Sequence, residues 1–210
     1  MIEYFVPVGA YLLGSLSSAV IVARIMGLRD PREVGSKNPG ATNILRYGGK
    51  TAAAATLAGD VLKGVIAVLV ARWLSHDPVI IALAMVASFL GHLYPVFFGF
   101  KGGKGVATAL GAYLGANLWL GLSVVATWLV MAFVSRYSSL SALVAIAASP
   151  FYTWYWMTSP EYIVAAAVIS VILYWRHRSN IKNLLTGKEN KIGHKPDAPD
   201  VAETMSSLDD

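Results

Sequence analysis

The sequence predicts an all-α integral membrane protein with seven transmembrane helices, its N-terminus outside the cell and its C-terminus in the cytoplasm. Three observations support this prediction. Hydrophobic residues make up 56% of the 210 residues and charged residues only 14%, whereas a soluble domain carries about 25% charged residues. The apolar residues form long runs, and most basic residues lie in a few segments between those runs. Such a chain is solvated largely by lipid.

The apolar runs give the transmembrane helices in chain order, because about 20 apolar residues are needed to cross the hydrocarbon core. Three separate runs come first, at 4–23, 51–74 and 79–98. A longer stretch follows, and polar breaks at 115–117, 136–139 and 158–161 divide it into 106–116, 118–135, 140–157 and 161–175.

Basic residues predict the orientation, since cytoplasmic loops carry an excess of lysine and arginine. Most of the 17 such residues lie in three segments, 24–50, 101–104 and 176–195. We therefore expect these three segments to be cytoplasmic. Only Arg72 is predicted to lie in a loop on the opposite side.

The number of spans follows from this orientation. Lys101 and Arg176 are both predicted to be cytoplasmic, so an even number of crossings separates them. Dividing the stretch 106–135 at Asn117 gives four crossings between Lys101 and Arg176 and seven crossings in total. The first piece is then only about half a bilayer long. Five spans, with a different division of this stretch, is the alternative.

Two charged residues, Asp60 and Lys63, lie inside the second apolar run. At a spacing of three they share one helix face and can pair, which reduces a cost of about 3 kcal/mol for each isolated charge in the bilayer. A structural and a functional role both remain open for this pair.

Residues 1–193 are expected to form one membrane domain. Residues 194–210 are polar, and we expect them to form a disordered tail.

The segment from Phe98 to Thr108 places two lysines among four glycines, between two apolar runs. Glycine lets the backbone approach a ligand closely. Lysine supplies positive charge, and a helix beginning near Val106 would point free N–H groups at the same place. This glycine–lysine loop therefore predicts a phosphate site at the membrane surface. It is not a Walker A loop, because the spacing differs and no Ser or Thr follows Lys104. The alternative is a flexible basic loop that serves only topology.

The first cytoplasmic segment carries many hydrogen-bonding side chains. Asn38-Pro39-Gly40 is a turn signal, or else Asn38 caps a helix whose first residue is Pro39. Such a helix would place Asn43 and Arg46 on one face. The candidate ligands of phosphate or carbonyl oxygens here are Ser36, Asn38, Thr42, Asn43 and Arg46. An ordinary capped surface helix is the alternative.

The last cytoplasmic segment holds the candidate for proton chemistry. His177 and Asn180 lie three residues apart and would face the same way on a continuing helix. A histidine with an ordinary pKa near 6.5 exchanges protons at neutral pH, and an asparagine can orient it. Arg176 and Arg178 are typical of snorkelling membrane anchors. Together, the three cytoplasmic segments predict chemistry that joins a phosphorylated water-soluble compound to one dissolved in the bilayer.

These segments are also recognisable. The residues at 35–43, 91–108 and 176–189 closely resemble the three motifs of the bacterial acyl-phosphate:glycerol-3-phosphate acyltransferases, the PlsY family, in order and at the same separations. The resemblance covers about 10–192. It implies a seven-helix membrane enzyme that transfers a fatty acyl chain from acyl-phosphate to the sn-1 hydroxyl of glycerol 3-phosphate. The products would be lysophosphatidic acid and phosphate.

The resemblance also implies residue roles. His177 and Asn180 would be catalytic, acting on the attacking hydroxyl. Lys104 and Lys101 with their glycines would hold the phosphate of glycerol 3-phosphate, and Ser36 and Arg46 the acyl-phosphate headgroup. The candidate substrate-binding residues are Ser36, Asn38, Thr42, Asn43, Arg46, Lys101, Gly102, Gly103, Lys104 and Ser139. No Asp lies five positions after a His, so the His-x4-Asp motif of the larger glycerolipid acyltransferase family is absent. This favours acyl-phosphate as the donor.

Location and partners follow from the same resemblance. We expect a multi-pass protein of the bacterial inner membrane whose site faces the cytoplasm, coupled to a soluble enzyme that makes acyl-phosphate. We expect no nucleic-acid partner and no cofactor. The four scattered histidines and the lack of cysteine predict no metal site. A transporter for an organic phosphate and a non-catalytic scaffold are the alternatives.

Overall fold

The computed structural model describes residues 2–193, and every regular element in that range is helical. The predicted tail at 194–210 lies outside the described residues. The α-helices are α1 Val6–Gly14, α2 Ser18–Ile25, α3 Ala41–Tyr47, α4 Gly49–Leu74, α5 Pro78–Leu93, α6 Val106–Ala116, α7 Leu118–Ser135, α8 Ser138–Trp156, α9 Pro160–Arg176 and α10 Arg178–Leu185. The predicted all-α fold is confirmed.

The polar breaks predicted in the second half of the chain separate helices in the structure. Asn117 stands alone between α6 and α7, and its side chain accepts a hydrogen bond from Leu120 N at 3.1 Å as the N-cap of α7. The carbonyl end of α6 is also covered, because Arg72 donates to Gly115 O at 2.9 Å and Ala116 O at 3.2 Å. Arg72 thus lies in the last turn of α4 and not in a loop.

The first apolar run, predicted as one helix over 4–23, is broken in the structure. α1 ends at Gly14 and α2 begins at Ser18. The break leaves the carbonyl of Leu16 without a helical partner, and Lys63 Nζ of α4 donates to it at 2.7 Å. A side chain more than forty positions away therefore satisfies the backbone at this break.

Small residues let neighbouring helices approach closely. A Cβ at Gly111 of α6 would lie 2.0 Å from Val61 O of α4, and one at Gly64 of α4 would lie 2.3 Å from Thr108 O. The α1–α5 crossing uses the same device, since a Cβ at Gly14 would lie 2.1 Å from Ser88 O. The α4–α6 crossing fixes one inner wall of the site described below.

Four helical segments of the described chain are long and apolar enough to cross a membrane, namely Glu3–Ile25, Gly49–Leu74, Pro78–Phe98 and Leu118–Ser135. The first of these contains the break between α1 and α2. α6 is apolar but has only 11 residues, about 16 Å of helix. The protein is a multi-pass membrane protein, and the count of seven spans stays a prediction.

Candidate active site

A cavity of about 330 Å³ lies among those ends of the helices that the sequence predicts to be cytoplasmic. One end is polar and is lined by residues of the segment before α4, the glycine–lysine loop, the start of α8 and the joint between α9 and α10. The other end is apolar and is lined by Leu57, Val61, Leu110, Leu114, Val125, Trp128 and Leu129. The volume falls within the range of small-molecule sites, roughly 300–1,000 Å³.

Most of the predicted site residues are brought together at the polar end. They come from segments far apart in the chain and all line the cavity: Ser36, Asn38, Thr42, Asn43, Arg46, Lys104, Ser139, His177 and Asn180. Lys101, Gly102 and Gly103 do not line it. The structure thus collects the three cytoplasmic segments and the start of α8, which carries the predicted residue Ser139, into one site.

A chain of polar side chains runs across this end. Lys104 Nζ donates to Asn180 Oδ1. Asn180 Nδ2 in turn donates to Glu189 Oε1 at 2.7 Å, and Ser139 Oγ donates to the same oxygen at 2.5 Å. Glu189 therefore ties the segment after α10 to both α8 and α10. Asn180 is oriented by Lys104 and Glu189 and does not contact His177 in these hydrogen bonds.

His177 is the joint between α9 and α10 and is 3% exposed. Its Nδ1 lies 2.9 Å from Leu173 O. A carbonyl only accepts, so Nδ1 carries the proton and Nε2 keeps its lone pair for the cavity. Burial, and next the charge of Lys104, lower the pKa of His177 to about 4. The ring is therefore neutral at pH 7 and can accept a proton or a hydrogen bond.

Lys104 is the predicted cation of the phosphate site. Burial lowers its pKa to about 8, with Glu189 acting in the opposite sense and Arg176 and Arg46 adding to the lowering. Lys104 therefore stays charged at neutral pH, although burial lowers its pKa. A phosphate bound beside it would strengthen the charged form.

The loop before α3 is held by Asn43, a residue of α3 that is 1% exposed. Asn43 Oδ1 accepts from Ser36 N at 3.0 Å, and its Nδ2 donates to Pro31 O and Val34 O, both at 3.0 Å. The alternative in which Asn38 caps a helix beginning at Pro39 is wrong, since α3 begins at Ala41 with Gly40 as its N-cap. The turn interpretation fits instead.

The glycines of the glycine–lysine loop serve packing more than ligand approach. A Cβ at Gly102 would lie 2.1 Å from His92 O, and one at Gly103 would lie 2.2 Å from His92 Nε2. Gly103 N also donates to His92 O at 3.1 Å. The loop is therefore seated on the end of α5, and Lys101 is turned outward and exposed.

Arg176 does not lie where the membrane anchor predicted for it would lie. Its guanidinium donates to Gly102 O at 3.2 Å and Gly103 O at 3.0 Å, so it holds the glycine–lysine loop from the side of α9. Arg178 stacks on Trp175 at 4.8 Å and is exposed, as an anchor would be. The spacing of the two arginines could not separate these roles.

Three titratable residues of the cavity wall were not identified as site residues from the sequence: Asp60, His92 and Glu189. Glu189 is an acidic residue in a basic segment, and that contrast was the available signal. Nothing in the local pattern connects His92 to Lys63, because they lie on different helices and meet only through the fold.

Fold and site together define a class of protein: a multi-pass helical membrane protein with a basic, polar cavity that continues into an apolar one. Within that class, the chain belongs to the glycerol-3-phosphate acyltransferase family, whose sequence model matches residues 4–187. The resemblance predicted from the three motifs is confirmed.

Curated relatives are similar over nearly their whole length. The chain is 56% identical over 187 residues to a glycerol-3-phosphate acyltransferase of Thioalkalivibrio sulfidiphilus (strain HL-EbGR7), covering 89% of this chain and 92% of that one. It is 53% identical over 194 residues to one of Methylococcus capsulatus, covering 92% and 98%.

Two solved structures are similar to the chain, and both are crystal structures of PlsY (YgiH), described as an integral membrane glycerol 3-phosphate acyltransferase. The glycerol 3-phosphate form has a TM-score of 0.87 and 37% identity, covering 99% of each chain. The lysophosphatidic acid form has a TM-score of 0.85 and 37% identity, covering 92% of this chain and 96% of that one.

Proposed function

We propose that this protein is a membrane acyltransferase that moves a fatty acyl group from acyl-phosphate to the sn-1 hydroxyl of glycerol 3-phosphate. The products are lysophosphatidic acid and phosphate, and the reaction is the first acylation of phospholipid biosynthesis. Beyond family membership, one observation carries this proposal: the cavity joins a cationic polar end to an apolar end. That shape suits a reaction between a water-soluble phosphate and a lipid.

The polar end supplies cations for the phosphate groups of both substrates. Lys104 binds the phosphate of glycerol 3-phosphate as a buried ammonium ion. Arg46 lines the same end with a buried Nε that has no hydrogen-bond partner among residues 2–193, and with Ser36 it binds the acyl-phosphate headgroup. Lys101, exposed and outside the lining, adds only to the general positive field.

The other residues of the first loop act in two ways. Thr42 Oγ1 lies 3.2 Å from Ser138 Oγ and links α3 to α8. All the amide hydrogens of Asn43 are engaged by backbone carbonyls. We infer that Asn43 positions Ser36, whose N–H it accepts, and that Ser36 and Asn38 contact the substrate.

The apolar end receives the acyl chain. Its wall is formed by α4, α6 and α7. The short helix α6 packs between the other two. Leu114 and Trp128 line it, and Leu57 and Leu129 are about half exposed, at 47% and 55%, at its rim. Burying apolar chain there is favourable by about 0.8 kcal/mol per methylene group.

The chemistry needs one acyl transfer. The sn-1 hydroxyl oxygen bonds to the acyl carbon, the bond from that carbon to the phosphate oxygen breaks, and the phosphate leaves with the bonding electrons. His177 Nε2 accepts the hydroxyl hydrogen, and Asn180 fixes the neighbouring groups. An acyl-phosphate is a mixed anhydride with a good leaving group, so no acyl-enzyme is required. With a pKa of about 4, His177 is a weak base until a bound phosphate raises that pKa.

The membrane arrangement is also part of the proposal: seven spans in the bacterial inner membrane, with the site facing the cytoplasm. Residues that precede α4, follow α5, begin α8 and follow α9 all line the polar end. Four segments on one side of the membrane would be separated by even numbers of crossings, and this supports the seven-span proposal. A soluble enzyme that produces acyl-phosphate would deliver it from that side.

The test uses purified protein in detergent with palmitoyl-phosphate and glycerol 3-phosphate, following release of phosphate and formation of lysophosphatidic acid. Both products should appear together, and palmitoyl-CoA should not replace palmitoyl-phosphate. A protein without this activity that accumulates labelled glycerol 3-phosphate in liposomes would instead be a transporter.

A further inference from the structure

A buried polar cluster lies between α4 and α5 and reaches the wall of the same cavity as His177 and Asn180. Asp60, Lys63 and His92 are 2%, 4% and 7% exposed. Lys63 Nζ lies 2.9 Å from Asp60 Oδ1 and 3.0 Å from His92 Nδ1. The sequence predicted the pair but not the third member, and the chemistry proposed above uses none of the three.

The contacts of Lys63 fix its protonation state. An ammonium group has three N–H donors and no acceptor. Lys63 Nζ has three partners: Leu16 O at 2.7 Å, Asp60 Oδ1 and His92 Nδ1. Leu16 O and His92 Nδ1 are hydrogen-bond partners of the ammonium group, and the Asp60 carboxylate is its ion-pair partner and balances the charge. The ammonium form therefore fits all three contacts.

The protonation state of Lys63 in turn fixes the tautomer of His92. Nδ1 faces an ammonium hydrogen at 3.0 Å, so it must present its lone pair. The other neighbour of Nδ1, Asp60 Oδ1, is more distant at 3.4 Å. In a neutral ring with a bare Nδ1, the single proton lies on Nε2.

The free ring nitrogen lies beside the glycine–lysine loop, next to the site. His92 lines the cavity, and a Cβ at Gly103 would lie 2.2 Å from its Nε2. Nε2 is thus next to the residue that precedes Lys104. Among residues 2–193, no side-chain or backbone acceptor hydrogen-bonds to Nε2, while Nδ1 is engaged by Lys63.

We propose that His92 is a substrate-binding residue whose Nε2–H donates to a negatively charged substrate oxygen in the cavity, and that Lys63 and Asp60 are positioning residues that hold this tautomer. The oxygen belongs to a phosphate group, or it is the carbonyl oxygen that becomes negative as the hydroxyl attacks. This assignment of the oxygen rests on the proposed function. The neutral Nε2–H adds a directed hydrogen bond without adding charge.

The tautomer is tested directly on the unmodified protein by ¹⁵N NMR of histidine-labelled protein in detergent, with the His92 signals assigned by their loss in His92→Gln. The expected result is a protonated Nε2 and a bare Nδ1. In Lys63→Met the Nδ1–H tautomer should appear. A proton on Nδ1 in the unmodified protein, or on both nitrogens, overturns the proposal.

Two matched variants test the donor. The amide of His92→Gln reaches the place of Nε2, whereas that of His92→Asn reaches only the place of Nδ1, where it can still accept from Lys63. With melting temperatures compared for both, His92→Asn should lose about tenfold or more in kcat/KM, as expected for a lost charge-assisted hydrogen bond. His92→Gln should keep most of the activity.

The kinetic parameter that changes identifies the oxygen. A raised KM for one substrate assigns its phosphate group, and a lowered kcat assigns the carbonyl. Equal kinetics for both variants, whether near those of the unmodified enzyme or equally impaired, overturn the proposal. If the unmodified protein shows no acyl transfer, the proposed function fails while the NMR result still decides the tautomer.

Discussion

Lys104 and Lys101 make a natural comparison, because they lie three positions apart and only Lys104 lines the cavity. We expect Lys104→Ala to raise KM for glycerol 3-phosphate at least tenfold, since a lost charge-assisted contact costs about 1.5–3 kcal/mol. Lys101→Ala should change KM little at physiological salt, where exposed charges are screened. Initial rates against glycerol 3-phosphate concentration check both. Equal effects of the two variants would contradict the assignment of the phosphate site.

The pKa of Lys104 also predicts an alkaline limit to activity. The ammonium form binds phosphate and is present below a pKa of about 8. As pH rises through that value the charge is lost, so kcat/KM for glycerol 3-phosphate should fall. Lys104→Arg keeps its charge at all these pH values and should move the fall to higher pH. A fall at the same pH in both proteins would assign the limit to another group.

His177 should set the rate of the chemical step. His177→Ala is expected to lose about 10²–10⁴ in kcat, the range of general acid–base catalysis, with His76→Ala as the control on an exposed histidine. The ring is neutral above a pKa of about 4. Acidification from pH 7 to 5 should therefore not protonate it in the free enzyme. A His177-dependent fall in kcat/KM centred near 6.5 would show that burial does not act as described.

At the scale of the helices, close crossings predict a sharp stability difference between glycines. A Cβ at Gly111 would lie 2.0 Å from Val61 O, whereas nothing lies within 4 Å of one at Gly9. Gly111→Ala should destabilise the protein by about 1–3 kcal/mol, the usual cost of overpacking. Gly9→Ala should be close to neutral. Thermal unfolding in the same detergent compares them, and equal melting temperatures would mean that α4 and α6 can separate freely.

Helix ends were predictable where polar residues interrupt apolar runs, as at Asn117 and between α8 and α9. The break after Gly14 was missed although Gly14, Ser15, Ser17 and Ser18 mark it, because its length and apolar flanks fit one span and Lys63 satisfies the break from another helix. In the site, too, some features were predictable from the sequence and others depend on how the helices pack. Motif residues such as His177 and Lys104 were identified from the sequence. The loop-holding role of Arg176 depends on the packing of α9 against the glycine–lysine loop, which no local pattern contains.

At the scale of the whole molecule, orientation can be measured without background, since the chain has no cysteine. Single cysteines at His76, Thr158 and Ser179 occupy exposed positions. Seven spans with the C-terminus inside predict that an impermeant thiol reagent labels the first two in intact cells. Ser179→Cys should react only after permeabilisation. Labelling of Ser179→Cys from outside would refute the parity argument.

The half-exposed rim of the apolar cavity, at Leu57 and Leu129, has a consequence for how the enzyme meets its lipid substrate. A chain can slide in and out sideways within the leaflet, so the product need never pass through water. The lipid concentration that governs turnover is then a two-dimensional one, the mole fraction of acyl-phosphate in the bilayer. Adding inert phospholipid at constant total acyl-phosphate would dilute the substrate and slow the reaction, although nothing in the aqueous phase had changed.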